Sequence, residues 1–180
     1  PEINVKVVWL NSWFNPSKAQ ESAKSLVAQS ADVIFSLYQD TPSVVSVAEE
    51  LGVYVVNTSS DIKKYAPTKL LASLTIDWGP HFISQVQAVL DDNFEGTAYW
   101  GGMADGAVGI GSLSSDLSAD QTAEVEKTMA SIASGSFHPF NGPIMGQDGS
   151  EKVAAGATLD DGSILGINWL VKGVETNLPN

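Results

Sequence analysis

The sequence predicts an α/β fold built around a parallel β-sheet, and two features of its first seventy residues carry this prediction. Short apolar runs rich in β-branched residues alternate with segments whose apolar side chains recur at helical spacing. The connections between these segments are only a few residues long and are rich in Pro, Gly, Asn and Asp. Strand, helix, strand, helix, strand in this order is typical of a parallel sheet with right-handed crossovers.

The first strand is predicted at residues 5–10 (VKVVWL), and a helix follows it. Asn15 is a candidate N-cap for this helix, and Pro16 suits its first helical position because proline has no backbone N–H to leave unbonded there. The apolar residues of the helix fall on one face, at Ala19, Ala23, Leu26 and Val27.

The second strand is predicted at residues 33–38 (VIFSLY), whose continuous apolar run indicates burial on both faces of a sheet. Thr41 and Pro42 repeat the cap-and-proline start of a helix. Gly52 suits the left-handed conformation that ends such a helix. Residues 53–57 (VYVVN) then predict the third strand.

Beyond residue 70 the regular alternation of short strands and helices ends. A strand is predicted at residues 70–76 and a helix at about 80–90. Residues 98–113 contain five glycines in sixteen positions, which indicates extended segments with tight turns. Ser118 and Gln121 form the pattern of a capping box, which predicts the start of another helix.

The last part of the sequence is expected to form short strands and one short helix. The helix that begins after Ser118 is predicted to end near Gly135. Turns are predicted at Asn141-Gly142 and at Asp148-Gly149, and the final helix between residues 159 and 174.

Composition argues against several functions. The chain has 9 basic and 21 acidic residues and a formal charge of −12, so nucleic acid and anionic membrane surfaces are not expected as partners. It has no Cys, which excludes disulfides and thiolate chemistry. The sequence contains no nucleophile elbow, phosphate-binding loop or zinc-protease motif. We therefore expect no cofactor, no metal and no catalytic residue.

The carboxyl ends of parallel strands meet at one edge of a sheet, where ligands usually bind. Three loops are predicted to leave strands at this edge, at residues 11–16 (NSWFNP), 39–42 (QDTP) and 57–61 (NTSSD). Flat aromatic side chains beside hydrogen-bonding groups suit a planar, polar ligand. The candidate ligand-binding residues are Trp13, Phe14, Asp40, Ser60, Asp61 and Trp78.

Some of these residues also have an alternative, purely structural interpretation. Asp40 and Asp61 follow strands, where aspartate commonly caps the next helix. Trp78 precedes a glycine, where a tryptophan often fills a gap in the core. Neither carboxylate belongs to a recognisable pair of nucleophile and base, so the pattern favours binding without a reaction.

Five motifs, in the order NSWF, DTP, DWGP, YWGGM and FHPF, extend over nearly the whole chain. Together they resemble the second half of the basic membrane protein (BMP) family, which are substrate-binding lipoproteins of ABC importers for purine bases or nucleosides. The resemblance implies a type I periplasmic-binding-protein fold with two α/β lobes that enclose the ligand. It also implies a periplasmic or other extracytoplasmic location, with a lipid anchor outside this chain.

The chain starts abruptly at Pro1, so it is expected to be a fragment. The resemblance also implies how this fragment divides between the two lobes. Residues 1–70 would form the core of the second lobe, and residues 97–180 would return to that lobe and extend beyond it. Residues 71–96 would cross to a first lobe that is missing from this chain. In its absence this crossover segment would dock on the remaining lobe, associate with another copy or be displaced.

The resemblance also implies roles for the candidate residues. Trp13 or Phe14 would stack on a purine, Asp40 would accept an N–H, and Ser60 and Asp61 would bind the opposite edge. The third loop reads NTSSD where nucleoside-binding members have V-D-x-D, which favours a free base. The permease of an ABC importer would be the protein partner.

Three other functions remain open on the sequence alone. A sugar-binding receptor of the same superfold would also use aromatic stacking. A small nucleosidase-like enzyme would use Asp40 or Asp61 as its base. A signalling or regulatory protein would use the same receptor fold for another purpose.

Overall fold

The structure is a computed structural model that describes residues 3–37 and 41–178, without the side chain of Thr41. The chain divides into two compact units. The sheet unit comprises Ser12–Ser134, and the terminal unit combines Pro1–Asn11 with Gly135–Asn180.

The sheet unit contains a four-stranded sheet in the spatial order β1-β2-β3-β4. The first three strands run parallel, and β4 is antiparallel to β3. The predicted α/β class with a mainly parallel sheet is therefore confirmed. The strands are β1 (Val33–Ser36), β2 (Tyr54–Ser59), β3 (Leu70–Ile76) and β4 (Val108–Leu113).

The helices of the sheet unit begin and end close to the predicted positions. They are α1 (Pro16–Ala28), α2 (Thr41–Leu51), α3 (Gly79–Leu90) and α4 (Ala119–Ala133). The Asn15 side chain caps α1 by accepting a hydrogen bond of 3.0 Å from the Lys18 N–H. Ser118 and Gln121 form the predicted capping box of α4. Gly52 has φ +75°, as expected for a residue that ends α2.

One face of the sheet carries the core. Ile34 and Val55 are adjacent on β1 and β2, and both are buried. α2 contacts both strands and also packs against α1. Burying these aliphatic side chains contributes roughly 1.5–3 kcal/mol each to folding. The helical residues buried with them are Ala19, Ala23, Val44, Val45, Val47 and Ala48.

Three polar residues continue the same face toward the carboxyl ends of the strands. Ser36, Asn57 and Ser73 are adjacent on β1, β2 and β3, and all three are buried. The Ser73 hydroxyl donates to Asn57 Oδ1 at 2.6 Å, and Asn57 Nδ2 donates to the Ser60 carbonyl at 2.7 Å. We call these three residues the polar row.

The other helices of the sheet unit are less well packed. Neither α3 nor α4 contains a buried residue. α3 exposes five large apolar side chains, at Phe82, Ile83, Val86, Val89 and Leu90. The crossover segment thus contributes β3 to the sheet, between β2 and β4, while its helix buries nothing. Its assignment to a first lobe stays a prediction.

The terminal unit corrects the prediction of a strand at residues 5–10. Only Val5 forms a β-bridge, with Val174, through its N–H to the Gly173 carbonyl and its carbonyl to the Glu175 N–H. Trp9 contributes one further contact, from its indole N–H to the Asn177 carbonyl. A strand needs consecutive ladder pairs, and the secondary structure of the described residues 6–10 shows no β-bridge.

The remainder of the terminal unit follows the predicted pattern except at the predicted turn Asn141-Gly142, which lies earlier in the chain, at residues 138–141, where the Asn141 N–H donates to the His138 carbonyl. It contains a two-stranded antiparallel sheet of β5 (Ile144–Met145) and β6 (Glu151–Val153). Between these strands Asp148 accepts hydrogen bonds from Ser150, and Gly149 has φ +79°, as a tight turn requires. The final short helix is α5 (Asp161–Leu165), which is capped by Asp160.

Asp61 ties the loop after β2 to β4. Its Oδ2 accepts hydrogen bonds from the Ser112 N–H at 2.9 Å and from the Ser112 hydroxyl at 2.5 Å. Its Oδ1 accepts from the Lys63 N–H at 3.1 Å. Gly111 leaves room for the carboxylate, because a Cβ there would lie 3.0 Å from Oδ2. These hydrogen bonds, led by that of the Ser112 hydroxyl, lower the pKa of Asp61.

Replacing Asp61 with Asn is expected to destabilise the protein by about 1 kcal/mol at pH 7, a value reduced for the exposure of the site. Since the pKa of Asp61 is lower in the folded state, its contribution is present above its unfolded pKa of about 4. The contribution is lost as the pH falls through the folded value. Chemical denaturation at pH 7 and pH 3 should show the difference between wild type and Asp61→Asn shrinking in acid.

Glu95→Gln is the matched control for this experiment. It also removes one negative charge, from an exposed side chain that makes no hydrogen bond with any described residue. Equal stability losses for Asp61→Asn and Glu95→Gln would contradict a role for the Ser112 hydrogen bonds.

Candidate functional site

The carboxyl ends of the three parallel strands form the candidate site. β1 ends at Ser36, β2 at Ser59 and β3 at Ile76. Because the strands are parallel and adjacent, these ends lie at one edge of the sheet. Polar and aromatic residues follow the last two ends, at Ser60 and Asp61 and at Asp77 and Trp78.

The loop after β2 is held in an unusual backbone conformation. Ser59 has φ +86°, which residues other than glycine rarely adopt. The hydrogen bond from Asn57 to the Ser60 carbonyl stabilises the turn from inside. The Ser60 side chain is exposed, and its hydroxyl bonds to no described residue. A hydroxyl is thus presented to solvent at the sheet edge on a fixed backbone.

Asp61, the neighbour of Ser60, has less capacity left to hydrogen-bond a ligand. Its Oδ2 accepts two hydrogen bonds from Ser112 and its Oδ1 accepts one from the Lys63 N–H. A carboxylate oxygen can accept about two hydrogen bonds. The remaining capacity of Asp61 toward a ligand therefore lies mainly on Oδ1.

Trp78 begins an aromatic cluster after β3, formed with His81, Phe82 and Tyr99. Its ring centroid lies 6.2 Å from those of His81 and Phe82 and 6.1 Å from that of Tyr99. The rings of His81 and Tyr99 stack, with centroids 4.1 Å apart and an interplanar angle of 18°. Trp78 remains half-exposed, so part of its own ring faces solvent.

Sequence reasoning missed His81 and Tyr99. Trp78, His81 and Phe82 are spaced i, i+3 and i+4, and this spacing places side chains on one face of a helix. That signal was available in the sequence. The approach of Tyr99 depends on the loop before β4, which has no periodic pattern that would predict it.

Trp13 and Phe14 lie in the loop before α1, with 86% and 78% of their surface exposed. Neither ring contacts another aromatic ring or a cation in the described part of the chain. Large apolar side chains exposed to this extent are typical of a surface that binds something. The contacts within the described structure do not join these rings to Ser60 or Trp78.

Asp40, the remaining predicted site residue, lies outside the described residues, as does Gln39. Its role stays a prediction. Among the residues that the structure describes, no group of three or more His, Asp or Glu side chains is placed to hold a metal ion. No helix in the described ranges is both long and apolar enough to cross a membrane.

Solved structures share this fold. A transcriptional activator of the comK gene from Bacillus halodurans aligns with 73% of the chain and 47% of its own length, at a TM-score of 0.66 and 16% identity. ABC transporter solute-binding proteins from Aeropyrum pernix and Conexibacter woesei align with 69% of the chain and with 44% and 42% of their own lengths. Their TM-scores are 0.57 and 0.53, each at 15% identity. The predicted periplasmic-binding-protein-like lobe is confirmed.

Two curated proteins are similar in sequence. A purine-binding protein of Brucella abortus is 38% identical over 179 residues, which are 99% of this chain and 51% of that protein. A Haloferax volcanii protein described as an ABC transporter glucose-binding protein is 32% identical over 106 residues, 59% of this chain and 27% of that protein. The chain thus spans about half the length of its purine-binding relative and 27% of the length of the Haloferax protein.

The profile of the Bmp family, described as ABC transporter substrate-binding protein PnrA-like, matches residues 1–137. This match covers well over half of the chain, and it confirms the family that the five sequence motifs resemble. The chain therefore belongs to the Bmp family of PnrA-like ABC transporter substrate-binding proteins.

Proposed function

We propose that the chain is one lobe of the extracytoplasmic solute-binding component of an ABC importer, which captures a purine base or nucleoside without catalysis. The observation that carries this proposal is the 38% identity to a purine-binding protein over 99% of the chain. The aligned region is nearly the whole chain, so the proposal does not rest on a single motif.

The chemistry of the sheet edge supports a planar ligand. Trp13, Phe14 and Trp78 offer flat, exposed rings, and stacking an aromatic ring on a base is worth on the order of 1–3 kcal/mol. The Ser60 hydroxyl and Asp40 would hydrogen-bond the ring nitrogens and exocyclic groups. Asp61 would position Ser60 through its bonds to Ser112 and offer its Oδ1 to the opposite edge of the ligand.

The first lobe, which this chain does not contain, would complete the site. The chain covers about half of its purine-binding relative, so a full-length protein of similar size would contain as much chain again. The crossover segment, residues 71–96, would pack on that lobe, and the exposed apolar face of α3 supports this assignment. Closure of the lobes around the ligand would favour the form that the permease binds.

The location follows from the same proposal. A solute-binding component works outside the cytoplasm and delivers its ligand to the permease in the membrane. The lipid anchor would lie in a part of the polypeptide outside this chain.

A sugar is the second candidate ligand. The Haloferax relative described as glucose-binding supports it, over the 106 residues that align. Aromatic rings beside hydroxyl and carboxylate groups also suit the faces and edges of a hexose. The smaller extent of that similarity, 59% of this chain against 99%, favours the purine.

Calorimetric titration of the full-length protein with adenine, guanine, adenosine and glucose tests the proposal. We expect a purine to bind tightly, glucose not to bind, and no product to form from adenosine. The 180-residue chain alone should bind the same purine at least about tenfold more weakly, since half of the contacts would be absent. Binding of glucose alone, or turnover of adenosine, would contradict the purine-receptor assignment.

Trp13→Ala in the full-length protein tests the stacking contact. We expect purine binding to weaken by roughly 5- to 150-fold, which corresponds to about 1–3 kcal/mol. The melting temperature should not change, because the ring makes no aromatic or cation–π contact in the described structure. Leu165→Ala removes another largely exposed apolar side chain, from α5, and should leave affinity unchanged. Equal affinities for Trp13→Ala and Leu165→Ala would show that Trp13 does not bind the ligand.

A further inference from the structure

A polar cavity of about 200 Å³ lies in the sheet unit and shares no residue with the candidate ligand site. It lies where β3 begins, because Leu70 lines it, whereas Trp78 follows the opposite end of that strand. Its other lining residues come from two segments, residues 63–69 before β3 and residues 114–116 after β4. The cavity is therefore a separate feature with a lining of its own.

Backbone hydrogen bonds fix both walls of this cavity. The Ser114 N–H, just after β4, donates to the Leu71 carbonyl on β3 at 2.9 Å. On the other wall, Glu49 of α2 accepts from the Thr68 N–H at 3.2 Å and from the Lys69 N–H at 2.9 Å. The two segments are thus held in place by bonds within the sheet unit.

The charged groups that line the cavity favour an anion. They are the ammonium groups of Lys63 and Lys69 and the carboxylate of Asp116. Neither lysine forms a close ion pair with a carboxylate of the described residues. Glu49 and Asp61 lie near the two lysines but do not line the cavity, and each already accepts three hydrogen bonds. The excess of positive charge is local, in a chain whose formal charge is −12.

Tyr54 positions two of these charged groups. The Lys69 Nζ lies 5.0 Å from the centroid of the Tyr54 ring, in a cation–π contact. The Tyr54 hydroxyl donates to Asp116 Oδ2 at 2.9 Å and so occupies one oxygen of the opposing carboxylate. A cation–π contact does not use a lone-pair acceptor, so the ammonium of Lys69 retains N–H groups for an anion.

Two hydroxyl groups add neutral donors. The Ser114 Oγ accepts from the Asp116 N–H at 3.2 Å, while its own O–H donates to no described residue. The Ser115 hydroxyl bonds to no residue in the described part of the chain. A tetrahedral oxyanion directs its oxygens in several directions, so donors on opposite walls suit it better than they suit a planar carboxylate.

We infer that this cavity binds a phosphate group, held by the ammonium groups of Lys63 and Lys69 and the hydroxyls of Ser114 and Ser115. Hydrogen bonds from lysine to phosphate are charge-assisted, which makes them stronger than bonds between neutral groups. The group is either inorganic phosphate or the phosphate of a small monoester. The inference goes beyond the proposed capture of a purine and does not depend on it.

Calorimetric titration of the full-length protein with inorganic phosphate, in chloride buffers of constant ionic strength and without purine, tests the inference. We expect saturable binding of one phosphate per chain. A parallel titration with ribose 5-phosphate distinguishes the two sources, because the tighter of the two identifies a free phosphate or a monoester as the ligand. The absence of saturable binding with both compounds would overturn the inference.

Lys69→Gln should weaken phosphate binding about tenfold, because it removes a charge-assisted hydrogen bond. Lys64→Gln is the matched control, since it removes the same charge from the same loop. Lys64 does not line the cavity, and its Nζ lies 4.9 Å from the centroid of the Tyr65 ring. It should change the affinity less than about twofold. Equal losses in the two variants would show that phosphate responds to the charge of the loop and not to the cavity, and would overturn the inference.

Asp116→Asn is expected to have the opposite effect and to strengthen phosphate binding about threefold. It removes the one negative charge of the lining, while the amide oxygen of Asn can still accept from the Tyr54 hydroxyl. A misfolded variant would not bind more tightly, so this result separates the charge effect from a loss of structure. Unchanged or weaker binding by Asp116→Asn, in a variant that keeps the wild-type melting temperature, would place the phosphate elsewhere.

Discussion

The hydrogen bonds of Asn57 connect the core of the sheet to the candidate site. The side chain is fully buried on β2, where an unbonded amide would be costly, and it accepts from Ser73 on β3 while donating to the Ser60 carbonyl. The first bond joins two strands, and the second holds the loop that leaves β2. The unusual backbone of Ser59 and the exposed position of the Ser60 side chain both depend on that loop.

A second constraint is that a parallel sheet normally needs cover on both faces. Here the face that carries Ile34 and Val55 is covered by α2, while Phe35 on the opposite face is exposed and α3 and α4 bury no residue. Phe35 and the apolar face of α3 are thus both left uncovered by the described residues of the sheet unit.

Local signals in the sequence were sufficient to predict most of the helices and strands. Caps and a terminal glycine at Asn15, Ser118 and Gly52 located the helices, because these residues act on the backbone next to them. The strand predicted at residues 5–10 was wrong because a strand also depends on backbone pairing with a segment distant in sequence, and within its unit Val5 is the one described residue of this run that forms a β-bridge. The hydrogen bond between Asp61 and Ser112 at the site could not be predicted for the same reason. These residues are 51 positions apart, so no local sequence pattern indicates the contact.

The environment of Asp61 favours capture over catalysis. A nucleosidase using this carboxylate as its base would need it to take up a proton near neutral pH, and such bases usually have a raised pKa. The hydrogen bonds from Ser112 and Lys63 lower the pKa of Asp61, so the carboxylate accepts a proton less readily than an ordinary aspartate. A carboxylate that is hydrogen-bonded and ionised at neutral pH is instead suited to holding a loop and accepting an N–H from a ligand. The interactions that make Asp61 a poor base are those that fix the backbone beside Ser60.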